Sequence, residues 1–453
     1  MPKKKTALTI EERLQQALVP AEEQPYEVPE NWVWVRLGAI AEIVTGGTPS
    51  KKHPEYYGGN FPFYKPSDLD QGRLTYDASE YLSEEGKNVS RIIPKNSTAV
   101  CCIGSIGKCG YLMCEGTTNQ QINSAIPKIN SLCLYYYLCT ENFVQDLLSM
   151  ASATTIAIVN KSKMESCAFP LPPLSEQQRI VESIEELFAK LDEAKERLQE
   201  VADSFAVRKA AILHNAFTGE LTKQWRRENG VSDESWEEKK LGEVGFWLGG
   251  GTPSTSREEY WENGNILWIT SKDMKSAVIE DTLMKVNEIG VKNSSANYIE
   301  KPALLVVMRS GILRRTFPVA MVKKPFTVNQ DLKAIIPDKD DLEFLYWMLL
   351  SNEQRILDTC MKNGTTVESI NSNALKDLTF KCPTLPEQHE IVRLIDDLLA
   401  RERSAQQAAE QALASIDLMK KSILARAFRG ELGTNKASEA SALELLKQVL
   451  AEN

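Results

Sequence analysis

The chain carries a long internal duplication, and that limits the folds open to it more than any local pattern does. Thr154-Thr155, Asn160, Phe169, Pro172, Leu174, Glu176-Gln177 and Ile180-Val181 return 211 positions later as Thr365-Thr366, Asn371, Phe380, Pro383, Leu385, Glu387-Gln388 and Ile391-Val392. The same offset carries Ala216-Phe217 and Gly219-Glu220-Leu221 onto Ala427-Phe428 and Gly430-Glu431-Leu432. Upstream, Trp32, Leu37-Gly38 and Gly47-Thr48-Pro49-Ser50 match Trp236, Leu241-Gly242 and Gly251-Thr252-Pro253-Ser254 at an offset of 204. The drift between the two offsets requires small insertions, which belong in loops. A period this long is not that of a solenoid, and it predicts a molecule with two similar working faces.

Length and charge set the frame. At 453 residues, a prior of roughly 100–200 residues per domain gives two to four domains, each able to bury a core. No run of about 18 apolar residues occurs, so no membrane helix is expected. The basic start, Met1 to Lys5, is followed by no apolar core and does not read as a secretory signal. Nine cysteines, an odd number, fit a reduced cytoplasmic protein better than a disulfide scaffold. The net charge of −9 argues against a wholly basic nucleic-acid binder, so any such binding must be local.

A heptad seam lies inside the duplication. Ile180, Ile184, Leu187, Leu191, Ala194, Leu198, Val201 and Phe205 follow one another at alternating steps of four and three. Ser175 with Gln178 reads as a capping box and Gly219 as a stop. From 176 to 214 such a helix would span about 58 Å at roughly 1.5 Å per residue. The second copy keeps the register through Ile391, Ile395, Leu398, Glu402, Ala405, Ala409, Ala412, Ile416, Met419 and Ile423. Thr384 and Glu387 can cap it, Pro386 suits its first turn, and Gly430 stops it. A strict seam is narrower than the stripe of a helix lying on a single core. Small residues of the second copy would face large ones of the first. The two helices are therefore expected to pack on each other as a stalk. A surface helix on its own domain and homodimeric pairing are the alternatives.

A mixed block precedes each helix, from Trp32 to about Phe169 and from Trp236 to about Phe380. Short β-rich runs (99–103, 110–113, 266–269, 304–308, 319–322) alternate with helical patches (132–149, 342–358), which reads as α/β with a modest sheet. A short helix is expected at 10–19, a polar linker at 222–240 and a final helix at 438–450.

Together these residues carry a resemblance. Phe-Pro-Leu-Pro-Pro-Leu-Ser-Glu-Gln-Gln-Arg-Ile-Val (169–181) and Phe-Lys-Cys-Pro-Thr-Leu-Pro-Glu-Gln-His-Glu-Ile-Val (380–392) introduce the helices. Ala-Phe-Thr-Gly-Glu-Leu (216–221) and Ala-Phe-Arg-Gly-Glu-Leu (427–432) close them. With Gly-Gly-Thr-Pro-Ser in each block, the chain resembles the DNA specificity subunit of a type I restriction-modification system over roughly residues 30–432. The resemblance implies an α/β fold: two similar target recognition domains separated by two long antiparallel coiled-coil helices, a pseudo-two-fold internal repeat. The corresponding divisions are an N-terminal helix and connector at 1–30, recognition domains at 31–172 and 241–383, spacer helices at 173–221 and 384–432, a linker at 222–240 and a tail at 433–453. Each domain would read one half of a bipartite target in double-stranded DNA, and the helices would set the spacer. Two methyltransferase subunits and two restriction (motor) subunits would join, and S-adenosylmethionine, ATP and magnesium would be bound by those partners and not by this chain. The chain itself would be a non-catalytic recognition subunit. A coiled-coil adaptor without sequence-specific DNA binding is the alternative.

The residues agree about the chemistry. An amino-methyltransferase needs an Asn/Asp-Pro-Pro-aromatic loop, but Pro172-Pro173 is flanked by Leu171 and Leu174. Gly104-Ser105-Ile106-Gly107-Lys108 has the composition of a phosphate cradle without its spacing. The three histidines, His53, His214 and His389, form no catalytic pattern. Cys101, Cys102, Cys109 and Cys114 crowd together but lack paired Cys-x-x-Cys spacing, and the second copy has no cysteine there. They read as buried free thiols and not as a metal site.

Local charge points to where DNA would sit. Between Lys301 and Lys333, seven basic residues (Lys301, Arg309, Arg314, Arg315, Lys323, Lys324, Lys333) face the single acid Asp331. In the first copy Lys87, Arg91, Lys95 and Lys108 precede Glu115 with no acid between. Arg309, Arg314 and Arg315 fall at a predicted tight turn, and arginine can pair with guanine, so this loop is the first candidate for reading bases. A solvated basic face is the plainer alternative. Ser67-Asp68 matches Lys272-Asp273, and Asn119-Gln120 matches Asn329-Gln330. Such shared residues cannot easily encode two different half-sites, so they are read as mainly architectural or phosphate-facing. Lys51, Lys52, Lys65 and Gln121 in the first copy, and Arg257, Arg314 and Arg315 in the second, are the unshared candidates for specificity.

Overall fold

The computed structural model describes residues 9–70, 74–152, 157–362 and 367–452. The Thr-Thr pairs of the duplication and the basic first residues lie outside these ranges. The chain divides into two compact units, Met1–Leu198 with Gln411–Asn453, and Gln199–Glu410. Each unit therefore holds one block, the start of the helix that follows it and the end of the other long helix. Among the described residues no helix is long and apolar enough to cross a membrane.

The duplication is one of topology. In the first unit, strands Ala41–Thr45, Ile122–Pro127, Thr98–Cys101 and Cys109–Leu112 pair antiparallel in that order, and Leu74–Thr75 adds a short parallel edge. In the second, Gly245–Gly249, Leu332–Pro337, Ala303–Val307 and Val319–Val322 repeat the order. A smaller sheet accompanies each, centred on Tyr57–Tyr64 and on Ile266–Ile269. A strand pair closes each block, Val33–Arg36 with Ala168–Leu171 and Glu237–Lys240 with Thr379–Cys382. Ala303–Val307 is buried at every position, as a short continuous apolar run should be. The helical patches each split in two. Thr140 caps Glu141–Ser149 after Ser131–Leu138 ends, and Leu342–Ser351 ends before Glu353–Cys360 begins.

The long helices are Leu174–Asp203 with its continuation Phe205–Phe217, and Leu385–Ala427. The interruption at Ser204 has a local cause. Ser204 Oγ donates to the Glu200 and Val201 carbonyls at 2.7 and 3.2 Å, and Arg208 Nη2 donates to the Val201 carbonyl at 3.0 Å. Side chains thus occupy a carbonyl that the backbone ladder would otherwise use. Gly219 and Gly430 sit just past the helices at φ 85° and 74°, the left-handed conformation that ends a helix.

The seam is partly corrected. Ile180, Ile184, Ile391, Ile395, Ala409 and Ile416 are buried, but Ala194, Val201, Ala405 and Met419 are exposed. Leu399, Leu424 and Ala427 are buried instead. A 3.6-residue helix drifts about 20° per heptad, so a straight helix hands the buried position to a neighbour. The helices pack on each other and on the blocks at once. In the first unit Lys420 meets Asp192 at 2.5 Å, while Phe428 packs edge-on against Tyr137 with centroids 5.2 Å apart. In the second unit Arg208 pairs with Glu402, while Phe217 lies 5.5 Å from Phe344 between ring centroids.

The expected capping boxes, Ser175 with Gln178 and Thr384 with Glu387, do not form. Helix one begins at Leu174, with the Pro173 carbonyl accepting from Glu176 and Gln177 N–H, so Ser175 is already inside it. Gln177 is buried; its Nε2 donates to the Pro172 carbonyl at 2.9 Å and its Oε1 accepts from Asn130 N–H at 3.0 Å. Gln388 repeats this with the Pro383 carbonyl at 3.0 Å and Asp341 N–H at 2.8 Å. Asn130 and Asp341 in turn cap the next helix of their block. Glu176 accepts from Trp32 Nε1 at 2.7 Å, Asn435 Nδ2 at 2.8 Å and Thr434 Oγ1 at 3.2 Å. Glu387 accepts from Thr222 Oγ1 and from Arg226 Nη1, both at 2.7 Å. Glu387 is thus engaged away from Thr384.

The polar stretch 222–240 is not a plain linker. It forms a helix, Lys223–Glu228, and the strand Glu237–Lys240. Arg226 turns inward from that helix, where it also donates to the Gly219 carbonyl at 2.9 Å and sits over the Trp236 ring. Its charge gave the stretch a polar composition, but its partner Glu387 lies far away in sequence.

The cysteine cluster divides. Cys101 and Cys102 are buried, Cys109 is half-buried and Cys114 is exposed, against the reading of four buried thiols. Cys114 follows the strand Cys109–Leu112 and so escapes the sheet. Burial pushes the Cys102 thiol up to about 12. Among the described residues no three His, Cys, Asp or Glu side chains converge on a possible metal position.

Two outcomes are expected. Glu387→Ala should remove the buried carboxylate facing Arg226, leave that guanidinium only the exposed Asp233 at 3.1 Å, and lower stability by at most about 3–5 kcal/mol; denaturant titration checks this, and a cost under 1 kcal/mol would show the buried pair to be structurally idle. Brief alkylation of the native chain near neutral pH should label Cys114 first, with Cys101, Cys102 and Cys133 labelled after denaturation, as read by peptide mass spectrometry.

Candidate nucleic-acid interface

The residues shared by the two blocks meet in space. In the first unit Gly46 N–H donates to the Ile122 carbonyl at 2.9 Å and Gly47 N–H to the Thr118 carbonyl at 2.8 Å. A Cβ on Gly46 would lie 2.2 Å from the Asn119 carbonyl oxygen, so this approach requires glycine. Thr48 Oγ1 then donates to Gln120 Oε1 at 2.5 Å. In the second unit a Cβ on Gly250 would lie 1.8 Å from the Val328 carbonyl oxygen, and Thr252 Oγ1 donates to Gln330 Oε1 at 2.8 Å. Gly-Gly-Thr-Pro-Ser and Asn-Gln are two halves of one turn platform.

The asparagines build that platform from inside. Asn119 and Asn329 are each 8% exposed. Asn119 Oδ1 accepts from Gln121 N–H at 3.1 Å and its Nδ2 donates to Gln121 Oε1 at 3.0 Å. Asn329 does the same with Asp331, at 3.2 and 3.3 Å. Each asparagine is thus engaged by its own turn through both its side-chain oxygen and its side-chain nitrogen. The backbone of Asn119 donates to the Tyr64 carbonyl at 3.0 Å, and that of Asn329 to the Ile269 carbonyl at 3.0 Å. The neighbouring turns therefore join the platform. Asp68 accepts from Lys65 and Ser79 N–H at 2.8 and 3.1 Å, and Asp273 from Thr270 and Leu283 N–H at 2.9 and 3.0 Å. Ser67 and Lys272 are left exposed beside them, with Gln120 and Gln330; Gln121 is half-buried.

The basic surface is more neutral than its sequence. Lys65 pairs with Glu80 at 2.7 Å, Lys108 with Asp70 at 2.5 Å and Lys323 with Glu343 at 2.6 Å. Lys324 pairs with Glu280 at 2.7 Å, and Lys87 with Glu115 at 3.2 Å. Arg314 pairs with Glu368 and holds that carboxyl below its ordinary value. Arg257 donates to Tyr260 Oη at 2.8 Å and lies 3.6 Å from Glu259. Sequence reasoning missed Glu280, Glu343 and Glu368 because they lie outside the window in which the charges were counted. The local signal for them does not exist; only pairing through space reveals them. Among the described residues no carboxylate pairs with Lys51, Lys52, Lys272, Arg309 or Arg315. Those five are exposed cations.

The arginine loop is anchored. Ser310 precedes a helical turn, Gly311–Arg314, from which Leu313 enters the core, and Phe317 is fully buried just beyond it. Glu353 accepts from Thr316 Oγ1 and, at 2.7 Å, from Phe317 N–H. Guanidinium forks, amides and hydroxyls held on fixed turns are what recognition of base edges and phosphates requires.

Comparison with known proteins agrees with this picture. The family model for the type I restriction modification DNA specificity domain matches twice, over residues 29–203 and 233–412. The EcoR124I/EcoR124II type I restriction enzyme specificity subunit of Escherichia coli is 37% identical over 196 residues, which is 42% of this chain and about half (48%) of that protein. The EcoBI specificity subunit of Escherichia coli is 25% identical over 94% of this chain and 93% of its own length. In fold, the HsdS subunit from Thermoanaerobacter tengcongensis superposes with a TM-score of 0.66 at 18% identity, covering 90% of this chain and all (100%) of that one.

Proposed function

This chain belongs to the type I restriction modification DNA specificity family, with two copies of the domain, and from that premise we propose that it is the DNA sequence-specificity subunit of a type I restriction-modification complex. Each block reads one half of a bipartite target, and the paired helices set the spacer. One observation carries the reading furthest. Both units hold the same glycine-tight platform, Thr48 on Gln120 and Thr252 on Gln330, yet differ in the charged and apolar residues around it. A repeated scaffold with unlike loops suits a target of two unlike halves.

The chain acts by recognition, and the chemistry belongs to its partners. Two methyltransferase subunits supply S-adenosylmethionine, and two motor-nuclease subunits supply ATP-driven translocation with magnesium. The assembly works in the cytoplasm, where the target DNA and those partners are found. Phosphate contacts from Lys51, Lys52 and Lys272 add affinity without sequence information and weaken with salt.

Methylation mapping by single-molecule sequencing, in a host carrying this chain with its cognate methyltransferase subunit, should reveal a split adenine motif with a fixed gap. A stable complex that adds no motif would overturn the reading. Inserting four residues after Leu198 adds about one helical turn, roughly 6 Å. The insertion should lengthen the gap and leave both half-sites unchanged; an unaltered gap would sink the spacer role of the helices.

A further inference from the structure

Backbone hydrogen bonds show which residues of the two units correspond beside the platform. In the first unit Cys102 N–H donates to the Gln121 carbonyl at 2.7 Å, Val159 N–H donates to the Cys102 carbonyl at 2.9 Å, and Ile103 bridges Ile158. In the second, Met308 N–H donates to the Asp331 carbonyl at 2.8 Å, Ile370 N–H donates to the Met308 carbonyl at 2.8 Å, and Arg309 bridges Ser369. Arg309 therefore stands where the first unit has Ile103, and Ser369 where it has Ile158.

The loops that follow are also unlike. The first turns through Gly104 and Gly107, at φ 83° and 86°, and a Cβ on Gly107 would lie 2.7 Å from the Val144 side chain. Its one cation, Lys108, is held by Asp70, while Ile158 beside it is 43% exposed. The second loop carries three arginines. Glu368 neutralises Arg314, which leaves Arg309 and Arg315 exposed on a turn fixed by buried Leu313 and Phe317.

We propose that the two units read chemically different half-sites: the second takes a guanine through Arg309 and Arg315, and the first takes a thymine methyl through Ile103 and Ile158. This inference rests on the DNA-recognition reading above. Guanine offers O6 and N7 as paired acceptors in the major groove, and the planar guanidinium fork matches them. Isoleucine has no donor or acceptor, and the apolar feature of the major groove is the thymine methyl. Arg314 is set apart from the other two because Glu368 holds its Nε and offsets its charge.

The test uses the full chain in complex with its methyltransferase subunit. The methylated motif is mapped for the wild type, the double variant Arg309→Ala/Arg315→Ala, its counterpart Arg309→Lys/Arg315→Lys, and Ile158→Ala. The wild-type motif should require a guanine in one half. The double alanine variant should relax that guanine by roughly tenfold to a hundredfold in methylation preference. The double lysine variant keeps the charge but loses the fork, and should retain methylation with the same relaxation. Ile158→Ala should relax a thymine in the opposite half. Uniform loss of methylation under the alanine variant, with rescue of an unchanged motif by lysine, would mean phosphate contact and overturn the proposal. So would relaxation of the same half by Ile158→Ala. A wild-type complex without any split motif would instead overturn the recognition reading on which the proposal rests.

Discussion

Each long helix is aimed by two buried side chains in its first turn, and the placement of everything else depends on them. Gln177 and Gln388 tie the helix to the block before it, through the residue that caps that block's own helix. Glu176 and Glu387 tie it to the segment that follows the other helix, Thr434 with Asn435 and Thr222 with Arg226. All four side chains are at most 1% exposed. A buried polar group left unpaired is costly, so each donor and acceptor that reaches these four side chains favours one direction of the helix relative to its block in each unit.

The two copies reach that geometry by different chemistry. Glu387 meets a guanidinium, with Trp236 stacked on it, whereas Glu176 meets an indole N–H, an amide and a hydroxyl. A bidentate pair, Arg179 with Glu439, lies beside the first network at 2.8 and 2.9 Å. What persists between the copies is the demand for donors around a buried carboxylate, not the identity of the donors. The same division runs through the platform and its loops. Glycine and asparagine are repeated where backbones touch, threonine and glutamine as the side-chain pair on the platform, and the charged residues around it vary.

Much of the architecture could be read from the chain. The matched blocks implied duplicated topology, the heptads implied long helices, and the short apolar runs fell on central strands such as Ala303–Val307. Errors arose where distant residues decide. Ala405 and Met419 fit the seam by spacing but lie outside it, because the helix rotates away from a strict heptad. Residues 222–240 read as a linker because Arg226 looked like a surface charge. The capping boxes were plausible by spacing alone, yet the first helix starts ahead of Ser175 and Gln178 turns to Asn130 and Glu182, while Glu387 turns to Thr222 and Arg226.

By itself the sequence determined the duplication, the α/β class, the helix ends at Gly219 and Gly430, and the family. Those properties are written in periodicity, composition and local conformational preference. Only the tertiary structure decided which charges are free. Arg314 and Arg315 are adjacent in the chain, but Glu368, 54 residues beyond Arg314, neutralises that one and leaves Arg315 exposed. Electrostatic pairing follows distance through space, and no local window of sequence contains that distance.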